Sequence, residues 1–320
     1  MRVSRAAGLV LGFVADRVLG DPRRWHPVAG FGTVAAYVEA RVYADNRLAG
    51  VAHAALLVGG SAALGVAAEA LTHRRPVWHA VVTATATWAV LGGRSLEREA
   101  AAVHALLARG DLPAARVRLT HLVGRETTHL SAEEVARAVI ESVAENTSDA
   151  VTAPLVWGAM AGVPGLLAHR AANTLDAMVG HRTPRHERFG WASARLDDVM
   201  GLPGSRLAGV CLLVAAPRRA PAAWRAWRCD AAGHPSPNGG VVESAFAGAL
   251  GITLGGTNTY GSRVERRPTM GGGRSARAGD IARTTLVARR VGLVALACSA
   301  GLALVPWLLP WLLPRPTRQA

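Results

Sequence analysis

Long apolar segments separated by arginine-rich polar stretches are the main pattern of this chain. Residues 51–72 are apolar over about 22 positions, and a helix of that length covers about 33 Å, enough for a hydrocarbon core of ~30 Å. Residues 291–313 form a second long apolar segment. Four shorter apolar runs lie at 6–15, 77–92, 150–168 and 207–217. The pattern predicts one all-α domain over residues 1–320, a polytopic membrane protein with four or five membrane segments and a cytoplasmic polar region of helices and loops.

The run at 150–168 is the segment whose path matters most for chemistry. It contains Pro154 and Pro164, and carboxylates flank it on both sides. If it crossed the membrane completely, the flanking acids would lie on opposite faces of the bilayer and could not share one site. Broken helices are tolerated in membranes where neighbouring protein satisfies the freed backbone groups. We therefore expect a re-entrant or interfacial segment whose two polar flanks lie on the same side.

The first group of acids lies in a helix whose start the sequence indicates. Ser131 and Glu134 have the S-x-x-E spacing of a capping box, which marks a helix N-terminus. Glu141, Glu145 and Asp149 follow at intervals of four residues and would form one stripe on this helix. Like charges at this spacing repel each other. The stripe therefore either faces water or needs a compensating cation, an arginine or a shared proton.

A second set of polar residues follows the re-entrant segment. Asn173 and Asp176 are three positions apart, and two adjacent aspartates come later in the chain. Carboxylate and amide oxygens of this kind suit Mg²⁺, which is usually held by one or two carboxylates together with substrate phosphates. The candidate metal ligands are Glu145, Asp149, Asp176, Asp197 and Asp198.

Composition narrows the class of protein. The chain carries a formal charge of +14, and its 36 basic residues are all arginines. A basic soluble protein would point to nucleic acid, but half of the residues are hydrophobic and the sequence has no RNA-binding signature. We therefore expect a lipid bilayer, and no nucleic acid, as a partner. The stretch 218–228, basic and with two tryptophans, is typical of a cytoplasmic membrane interface. Three widely spaced cysteines indicate neither a disulfide framework nor a zinc site.

Several short motifs occur in an order that resembles a known family. They are DRVLGDP with HPV, GRSLEREA, GDLPAAR, LVGRET, AVIESVAENTSDAVTAPLVW, NTLDAMVGHR, FGWASARLDD, SPNGG, ESAFAGALGITLGG and NTYG. They extend over roughly residues 10–280, and the block from ESVAEN to ARLDD is the most specific part. With these motifs the chain resembles the cobinamide-phosphate synthase family of cobalamin biosynthesis.

The resemblance implies a multi-pass enzyme of the cytoplasmic membrane, an ATP-dependent ligase that forms a carbon–nitrogen bond. It implies that adenosylcobyric acid, a corrin, is joined through its f propionate to aminopropanol or aminopropanol phosphate. ATP and Mg²⁺ are the expected co-substrate and cofactor, because an acyl phosphate made from ATP activates a carboxylate for amide formation in water. Association with other membrane enzymes of cobalamin assembly is compatible with the resemblance.

The ligase reaction that the resemblance implies suggests a role for each of the polar residues. The catalytic candidates are Glu141, Glu145, Asn146, Asp149, Asn173 and Asp176. Glu141 either joins the metal ligands or deprotonates the attacking ammonium. Guanidinium groups make bidentate contacts with phosphate, so arginines are included among the residues expected to bind substrate. The candidates for binding substrate or phosphate are Arg94, Arg125, Arg195, Asn238, Glu243 and His26.

Two other functions fit part of the pattern. A Mg²⁺-dependent polyphosphate or prenyl transferase of the membrane also uses Asn and Asp motifs at helical spacing, and NTLD is compatible with one, although a second repeat of such a motif is missing. A transporter would place carboxylates along an ion path, whereas the acids here lie mostly at segment ends. Diphosphate-lyase activity without ATP consumption would favour the transferase. Substrate flux in proteoliposomes would favour the transporter.

Overall fold

Helices account for most of the structure. The computed structural model describes residues 1–22, 26–181, 183–260 and 263–312. The α-helices are α1 Arg2–Leu19, α2 Pro27–Val42, α3 Arg47–Thr72, α4 Pro76–Val90, α5 Gly93–Ala108, α6 Leu112–Leu119, α7 Ala132–Thr147, α8 Ala153–Leu175, α9 Trp191–Ala215, α10 Ala220–Asp230, α11 Gly239–Leu250 and α12 Ala278–Leu312. Three strands precede α12: β1 Ile252–Tyr260, β2 Arg263–Met270 and β3 Arg274–Ser275. The expected all-α class is confirmed.

Four helical stretches in the described part of the chain are long and apolar enough to cross a membrane. They are Arg47–Thr72, Ala132–Gly180, Trp191–Ala215 and Ala278–Val305. Large apolar side chains are exposed along the bundle, among them Leu64, Val81, Val214 and Leu302. Exposed apolar surface on this scale is expected where helices contact lipid. The chain is therefore a multi-pass membrane protein.

The predicted segments fall within helices that have different bounds. The segment 51–72 lies in α3, which starts at Arg47. The short run 207–217 overlaps the end of α9, and this helix also carries Asp197 and Asp198. The runs 6–15 and 77–92 lie largely in α1 and α4, which are not among the four long apolar stretches. The run 291–313 lies in α12 up to residue 312, and residue 313 is outside the described residues.

The chain reverses direction inside α8. Gly162 has φ 68° and ψ −149°, a backbone conformation that is nearly exclusive to glycine. The helical arms on either side, 153–161 and 163–175, pack very closely. A Cβ added to Gly165 would collide with the backbone oxygen of Trp157. The two arms therefore form a helical hairpin.

The two prolines fit this hairpin without breaking its arms. Pro164 lies in the first turn of the second arm, where proline removes no helical hydrogen bond. The carbonyl oxygen of Ala150, four residues before Pro154, accepts a hydrogen bond from the N–H of Gly92 at 3.2 Å instead. Because 150–168 turns back on itself, the polar residues before and after it lie at the same end of the bundle. That the hairpin enters the bilayer from one side stays a prediction.

Polar side chains from three other helices surround the tip of the hairpin. Oε1 of Glu69 accepts a hydrogen bond from the backbone N–H of Val163 at 3.0 Å. The same oxygen lies 3.4 Å from Nη2 of Arg5 and 3.8 Å from Nε2 of His79. Glu69 thereby satisfies one of the free N–H groups at the start of the second arm. These contacts fix the depth of the hairpin relative to α1, α3 and α4.

We expect Gly162→Ala to destabilise the hairpin. An alanine here would adopt a strained backbone conformation, at a cost of about 1–3 kcal/mol, and its Cβ would collide with Oε1 of Glu69. The melting temperature in detergent should fall by about 2 °C or more, measured through reaction of a thiol dye with the buried Cys211. Gly60→Ala is the matched control, because a Cβ at Gly60 meets nothing within 4 Å. Equal melting temperatures for the two variants would contradict this account of the turn.

A group of charges around the buried Glu97 joins three helices next to the hairpin. Glu97 accepts hydrogen bonds from Arg17 at 2.6 and 2.9 Å and from Arg289 at 2.7 Å. These side chains belong to α5, α1 and α12, and Glu97 is only 6% exposed. The group fixes the ends of α1 and α5 beside the start of the hairpin.

A small sheet is the part of the fold that the sequence did not predict. The glycine-rich stretch 233–280 shows no strand-like alternation, and from sequence we expect loops and short helices there. Instead β1 pairs with β2 antiparallel and with β3 parallel, in the order β2-β1-β3. Arg137 of α7 donates to the carbonyl oxygens of Gly255 at 2.7 Å and Thr257 at 3.3 Å. The sheet is thus attached to the helix that carries the first acids.

Candidate active site

Two π-helical turns lie at the two ends of the hairpin, and each contains an acid. They are Ser148–Thr152, which follows α7, and Asp176–Gly180, which follows α8. A π-turn adds a residue to a helical turn and occurs frequently at functional sites. Asp149 lies in the first turn and Asp176 begins the second. Both turns are therefore at the end of the bundle opposite the hairpin tip.

Acids from three helical regions converge at this end. Asp149 lies within electrostatic range of Glu145, Asp176 and Asp197. Nδ2 of Asn173 donates a hydrogen bond to Oδ1 of Asp197 at 3.3 Å. All five side chains are partly exposed, so they border a shared polar space. The structure thus brings together residues that are more than twenty positions apart and lie on both sides of the hairpin.

The charges around this space are mostly negative. The strongest charge interactions of Asp149 are with other acids. Asp198 lies at the edge, where its Oδ2 is 3.5 Å from Nη1 of Arg195. Arg195 is largely exposed, with 66% of its side chain accessible. A space bordered by acids in this way favours a bound cation.

The predicted metal ligands are close together without forming a complete coordination shell. Among the residues that the structure describes, no three His, Cys, Asp or Glu side chains are arranged to hold a metal ion. Mg²⁺ commonly takes one or two protein carboxylates and fills its other positions with water and phosphate oxygens. The acids fit an ion bound in that way. The five-residue metal site stays a prediction.

Glu141 does not continue the acidic stripe into this space. Its Oε2 accepts a hydrogen bond from Nη2 of Arg125 at 2.8 Å, and its Oε1 accepts one from the backbone N–H of Gly255 at 2.9 Å. Both side chains of this ion pair are under 10% exposed. Arg125 is therefore the compensating cation for Glu141, and the pair joins α7 to β1. The catalytic role expected for Glu141 and the phosphate contact expected for Arg125 stay predictions.

Asn238 connects the start of α11 with α9 through hydrogen bonds. Its Oδ1 accepts hydrogen bonds from Ser205 at 2.9 Å and Arg206 at 2.8 Å, and its Nδ2 donates to the carbonyl oxygen of Asp198 at 2.8 Å. It is 6% exposed. These contacts use Oδ1 twice and Nδ2 once, so Asn238 holds the start of α11 against α9. An amide nitrogen carries two N–H donors, and the phosphate contact expected for Asn238 stays a prediction.

The other predicted residues have local roles in the structure. His26 caps α2, because its Nδ1 accepts a hydrogen bond from the N–H of Val28 at 3.1 Å. Nδ2 of Asn146 donates to the carbonyl oxygen of Ser142, one turn earlier in α7, at 3.0 Å. Such contacts stabilise helix ends or turns. The binding role predicted for His26 and the catalytic role predicted for Asn146 stay predictions.

Arg94 lies at the same end of the bundle as the acids. Its backbone N–H donates to Oδ2 of Asp16 at 3.2 Å, and its side chain passes beside Gly20. The structure records no ion pair of Arg94 with a described carboxylate. Arg94 thus remains a candidate for phosphate.

Glu243 and His234 form a buried pair within electrostatic range of Glu145. Oε1 of Glu243 lies 3.3 Å from Nε2 of His234, and both side chains are about 98% buried or more. Nδ1 of His234 lies 3.1 Å from the backbone nitrogen and 3.2 Å from the carbonyl oxygen of Ser236, and these contacts hold the ring in place. Oε2 of Glu243 is buried with no hydrogen-bond partner among the described atoms. That oxygen is free to accept a proton.

Burial sets the protonation behaviour of this pair. Burial raises the pKa of Glu243, and the nearby charge of Glu141 raises it further. The hydrogen bond from His234 lowers that pKa in part. The net effect is a pKa above the ordinary value for glutamate. Burial alone would lower the pKa of His234, but the hydrogen bond and charge of Glu243 outweigh it and raise the pKa. A carboxyl group with a raised pKa is suited to proton transfer near neutral pH.

Sequence reasoning missed two residues, His234 and Arg170. His234 stands in HPSPNGG, where a histidine before a proline is typical of a turn, and only the fold places it against Glu243. Arg170 interrupts the apolar stretch GLLAHRAA. An ionisable residue within an apolar membrane segment is a functional signal in its own right, and that signal could have found it.

Comparisons with known proteins identify the family of the chain. The family described as CobD/Cbib protein matches residues 9–288. Three relatives, each named cobalamin biosynthesis protein CobD, come from Mycobacterium tuberculosis strain H37Rv, Geobacter metallireducens and Rhodobacter capsulatus. They are 49%, 43% and 38% identical to this chain over 291, 281 and 312 residues. The matches cover 90%, 84% and 94% of this chain and 92%, 87% and 98% of the relatives.

No solved structure matches the chain at a significant level. The family match covers most of the chain, including the acids of α7 to α9, the hairpin and the Glu243–His234 pair. The chain belongs to the CobD/Cbib family.

Proposed function

We propose that this protein acts in cobalamin biosynthesis as an ATP-dependent ligase of the cytoplasmic membrane. It joins the f propionate carboxylate of adenosylcobyric acid to aminopropanol or aminopropanol phosphate through an amide. The names of the relatives support the pathway. The observation that carries the chemistry is the convergence of acids from α7, α8 and α9 beside the buried Glu243–His234 pair.

Amide formation in water needs an activated carboxylate. In the proposed reaction a carboxylate oxygen of the corrin attacks the γ phosphorus of ATP, and ADP leaves. The amine nitrogen then attacks the acyl carbon, the phosphate leaves with the former carboxylate oxygen, and the nitrogen loses a proton. Each step moves negative charge among phosphate oxygens, so the site must offset that charge and accept a proton.

The acids beside the hairpin fit the first of these tasks. Glu145, Asp149 and Asp176 would hold Mg²⁺, which supplies neutralisation of the phosphate charge. Asp197 is oriented by Asn173 at 3.3 Å and, with Asp198, borders the same space. Arg94 provides a cation for phosphate at the same end of the bundle.

Glu243 fits the second task. Its free Oε2 lies in a buried environment near Glu145, and its pKa is raised by burial. We assign Glu243 as the acceptor of the proton that the amine loses, and His234 as the residue that positions it. A general base of this kind typically contributes about 10²–10⁴-fold to the rate.

The expected orientation rests on arginines next to the site. Arg185 and Arg188 lie in the connection that leads into α9, close to the end of α9 that carries Asp197 and Asp198. Arginine-rich segments next to membrane helices are retained on the cytoplasmic side. We therefore expect the polar space bordered by the acids to lie at the cytoplasmic end of the helix bundle, where ATP is available.

The direct test is an assay of the purified protein in proteoliposomes. It contains adenosylcobyric acid, ATP, Mg²⁺ and either amine, and the cobinamide product and ADP are measured by chromatography. We expect product and ADP in equal amounts, and no product and no sustained release of ADP beyond the first turnover when the amine is left out. Folded protein that gives no product under any combination would overturn the proposal, and diphosphate release without ATP use would support a transferase instead.

A further inference from the structure

The acids that border the polar space rest on two different apolar clusters. Val151, two positions after Asp149, belongs to the large apolar core of the bundle. Leu175 and Met178, on either side of Asp176, belong to or pack against a second, smaller cluster. That cluster is built on α2 and α3 and reaches the first turn of α9. Packing against α2 and α3 therefore decides where Asp176 lies relative to Asp149.

Glu39 of α2 binds the loop of residues 183–190, which precedes α9. Its Oε1 accepts hydrogen bonds from Nε and Nη2 of Arg185 at 3.2 and 3.1 Å. Nε2 of His186 lies 3.0 Å from the same oxygen, and the side chain of Glu39 is only 13% exposed. Three nitrogen atoms of the loop thus meet at one carboxylate oxygen. We call this group of Glu39, Arg185 and His186 the Glu39 clamp.

The clamp keeps Glu39 ionised. Burial alone would raise the pKa of Glu39, but the hydrogen bonds from His186 and Arg185 outweigh it and lower the pKa. Charge-assisted hydrogen bonds are roughly twice as strong as those between neutral groups. The clamp is therefore a firm link between α2 and the loop at neutral pH.

Phe189 packs the same loop against α3. Its side chain is fully buried, and its ring centroid lies 5.3 Å from that of Tyr43 and 5.1 Å from that of His53. The hydroxyl of Tyr43 also donates to the carbonyl oxygen of Arg185 at 3.0 Å. Gly50 of α3 permits the close approach, because a Cβ there would collide with the carbonyl oxygen of Phe189. Polar and apolar contacts together hold the loop to α2 and α3.

The loop is coupled at its end to both segments that carry the second set of acids. A Cβ at Gly190 would collide with the carbonyl oxygen of Val179, which belongs to the second π-turn. The residue after Gly190 begins α9, the helix that carries Asp197. A shift of the loop would therefore displace Asp176 and Asp197 relative to Asp149.

We propose that Glu39 is a positioning residue for the polar space bordered by the acids. Through the loop it holds Asp176 and Asp197 at the distance from Asp149 that suits a bound divalent cation. The inference rests on the proposed function, in that this cation is the Mg²⁺ of the ligase reaction. Residues that orient metal ligands typically contribute about 10- to 100-fold to metal affinity or activity.

Hydrogen exchange shows whether the clamp holds the second π-turn, and it needs no reaction. Wild type and Glu39→Gln are compared in detergent without ATP or Mg²⁺, and backbone exchange is followed by mass spectrometry. We expect exchange about 10-fold faster in 176–180 and 183–190 of the variant. Exchange in 145–152, which rests on the main core, should not change. Equal exchange of wild type and variant in 176–180 would overturn the proposal.

Glu99→Gln is the matched control for loss of a clamp of this type. Glu99 also binds an arginine and a histidine, since its carboxylate lies 2.7 Å from Arg118 and 3.4 Å from His121. These contacts join α5 to the end of α6. Glu99→Gln should exchange like wild type in the second π-turn. Faster exchange there in Glu99→Gln as well would show a general loosening and would count against a specific role of Glu39.

A second variant moves the loop without touching the clamp. In Gly50→Ala the added methyl group pushes against the carbonyl oxygen of Phe189, so exchange in 176–180 should rise as in Glu39→Gln. This variant keeps the proposal testable if Glu39→Gln does not fold. Gly60→Ala, also in α3, is its control, because a Cβ at Gly60 meets nothing within 4 Å.

The Mg²⁺ dependence of the ligase assay separates positioning from mere support of the fold. In Glu39→Gln the Mg²⁺ concentration for half-maximal activity should rise about 10-fold, and kcat should recover at saturating Mg²⁺. Glu39→Asp keeps the charge and should lie between wild type and Glu39→Gln. A purely structural role would lower kcat at every Mg²⁺ concentration and leave the half-maximal concentration unchanged, which would refute positioning.

The two experiments also distinguish failure of this inference from failure of the proposed function. Normal amide formation with an unchanged Mg²⁺ dependence in both Glu39→Gln and Gly50→Ala would refute the positioning role and leave the ligase intact. Absence of amide formation in wild type, together with faster exchange in 176–180 of both variants, would refute the ligase and leave the hold of Glu39 on the second π-turn intact.

Discussion

The Asp149→Asn variant is expected to lose amide formation while keeping its fold. Asp149 lies at the centre of the acids, within range of Glu145, Asp176 and Asp197. An amide keeps the shape of the side chain but removes the charge that would bind a cation. We expect kcat/KM to fall about 100-fold or more, measured as product formed in proteoliposomes with saturating ATP.

Stability distinguishes this role from a structural one. Because the strongest charge interactions of Asp149 are with other acids, removing its charge relieves repulsion, and the melting temperature should stay the same or rise. Asp111→Asn is the matched control: Asp111 caps α6 far from the site, and asparagine caps helices equally well. Wild-type activity in Asp149→Asn, or a large fall in its melting temperature with activity per folded molecule unchanged, would refute the assignment.

The Glu243→Gln variant should show the second large effect. Glutamine cannot accept the proton that the amine loses, so kcat should fall about 100-fold or more at neutral pH. Formation of ADP in the first step should be less affected, because Glu243 acts on the amine. Rapid-quench measurement of both products tests this, with the exposed Glu133→Gln in the first turn of α7 as the control. Equal losses of ADP and amide would argue against a role in proton transfer.

The pH dependence tests how His234 acts. Activity should fall as the pH drops through the pKa of Glu243, which burial raises above its ordinary value. The hydrogen bond from His234 lowers that pKa, so His234→Leu should raise it and shift the acidic limb of kcat to higher pH. A purely structural role would lower kcat without moving the limb. A shift to lower pH would contradict the assignment of Glu243 as the base.

Local sequence signals predicted the parts of the fold that depend on near neighbours. The capping box of Ser131 and Glu134 is present, with hydrogen bonds of 2.8 and 3.2 Å. The length and hydropathy of 51–72 identified α3. Prolines within 150–168 indicated a broken segment, and the structure has its reversal at Gly162. Each of these features is encoded within about twenty residues, where helical periodicity and turn chemistry are informative.

Contacts between distant residues could not be predicted in this way. Spacing put Glu141 in line with Glu145 and Asp149, but Arg125 and the backbone of Gly255 bind it. Asn238 has the residue type of a phosphate ligand, yet its amide is used by Ser205 and Arg206. Which acid is neutralised depends on loops that meet only in the folded chain. The roles of the carboxylates that remain uncompensated stay predictions.

Oxygen transfer tests the central claim, ATP-dependent amide formation through an acyl phosphate, most directly. Adenosylcobyric acid labelled with ¹⁸O in its f propionate is incubated with the wild-type protein, unlabelled ATP, Mg²⁺ and aminopropanol phosphate, and the released inorganic phosphate is analysed by mass spectrometry. The account predicts one ¹⁸O atom in the phosphate for each amide formed, and no labelled phosphate in Asp149→Asn. Cobinamide product accompanied by unlabelled phosphate, or formed without ATP, would contradict it.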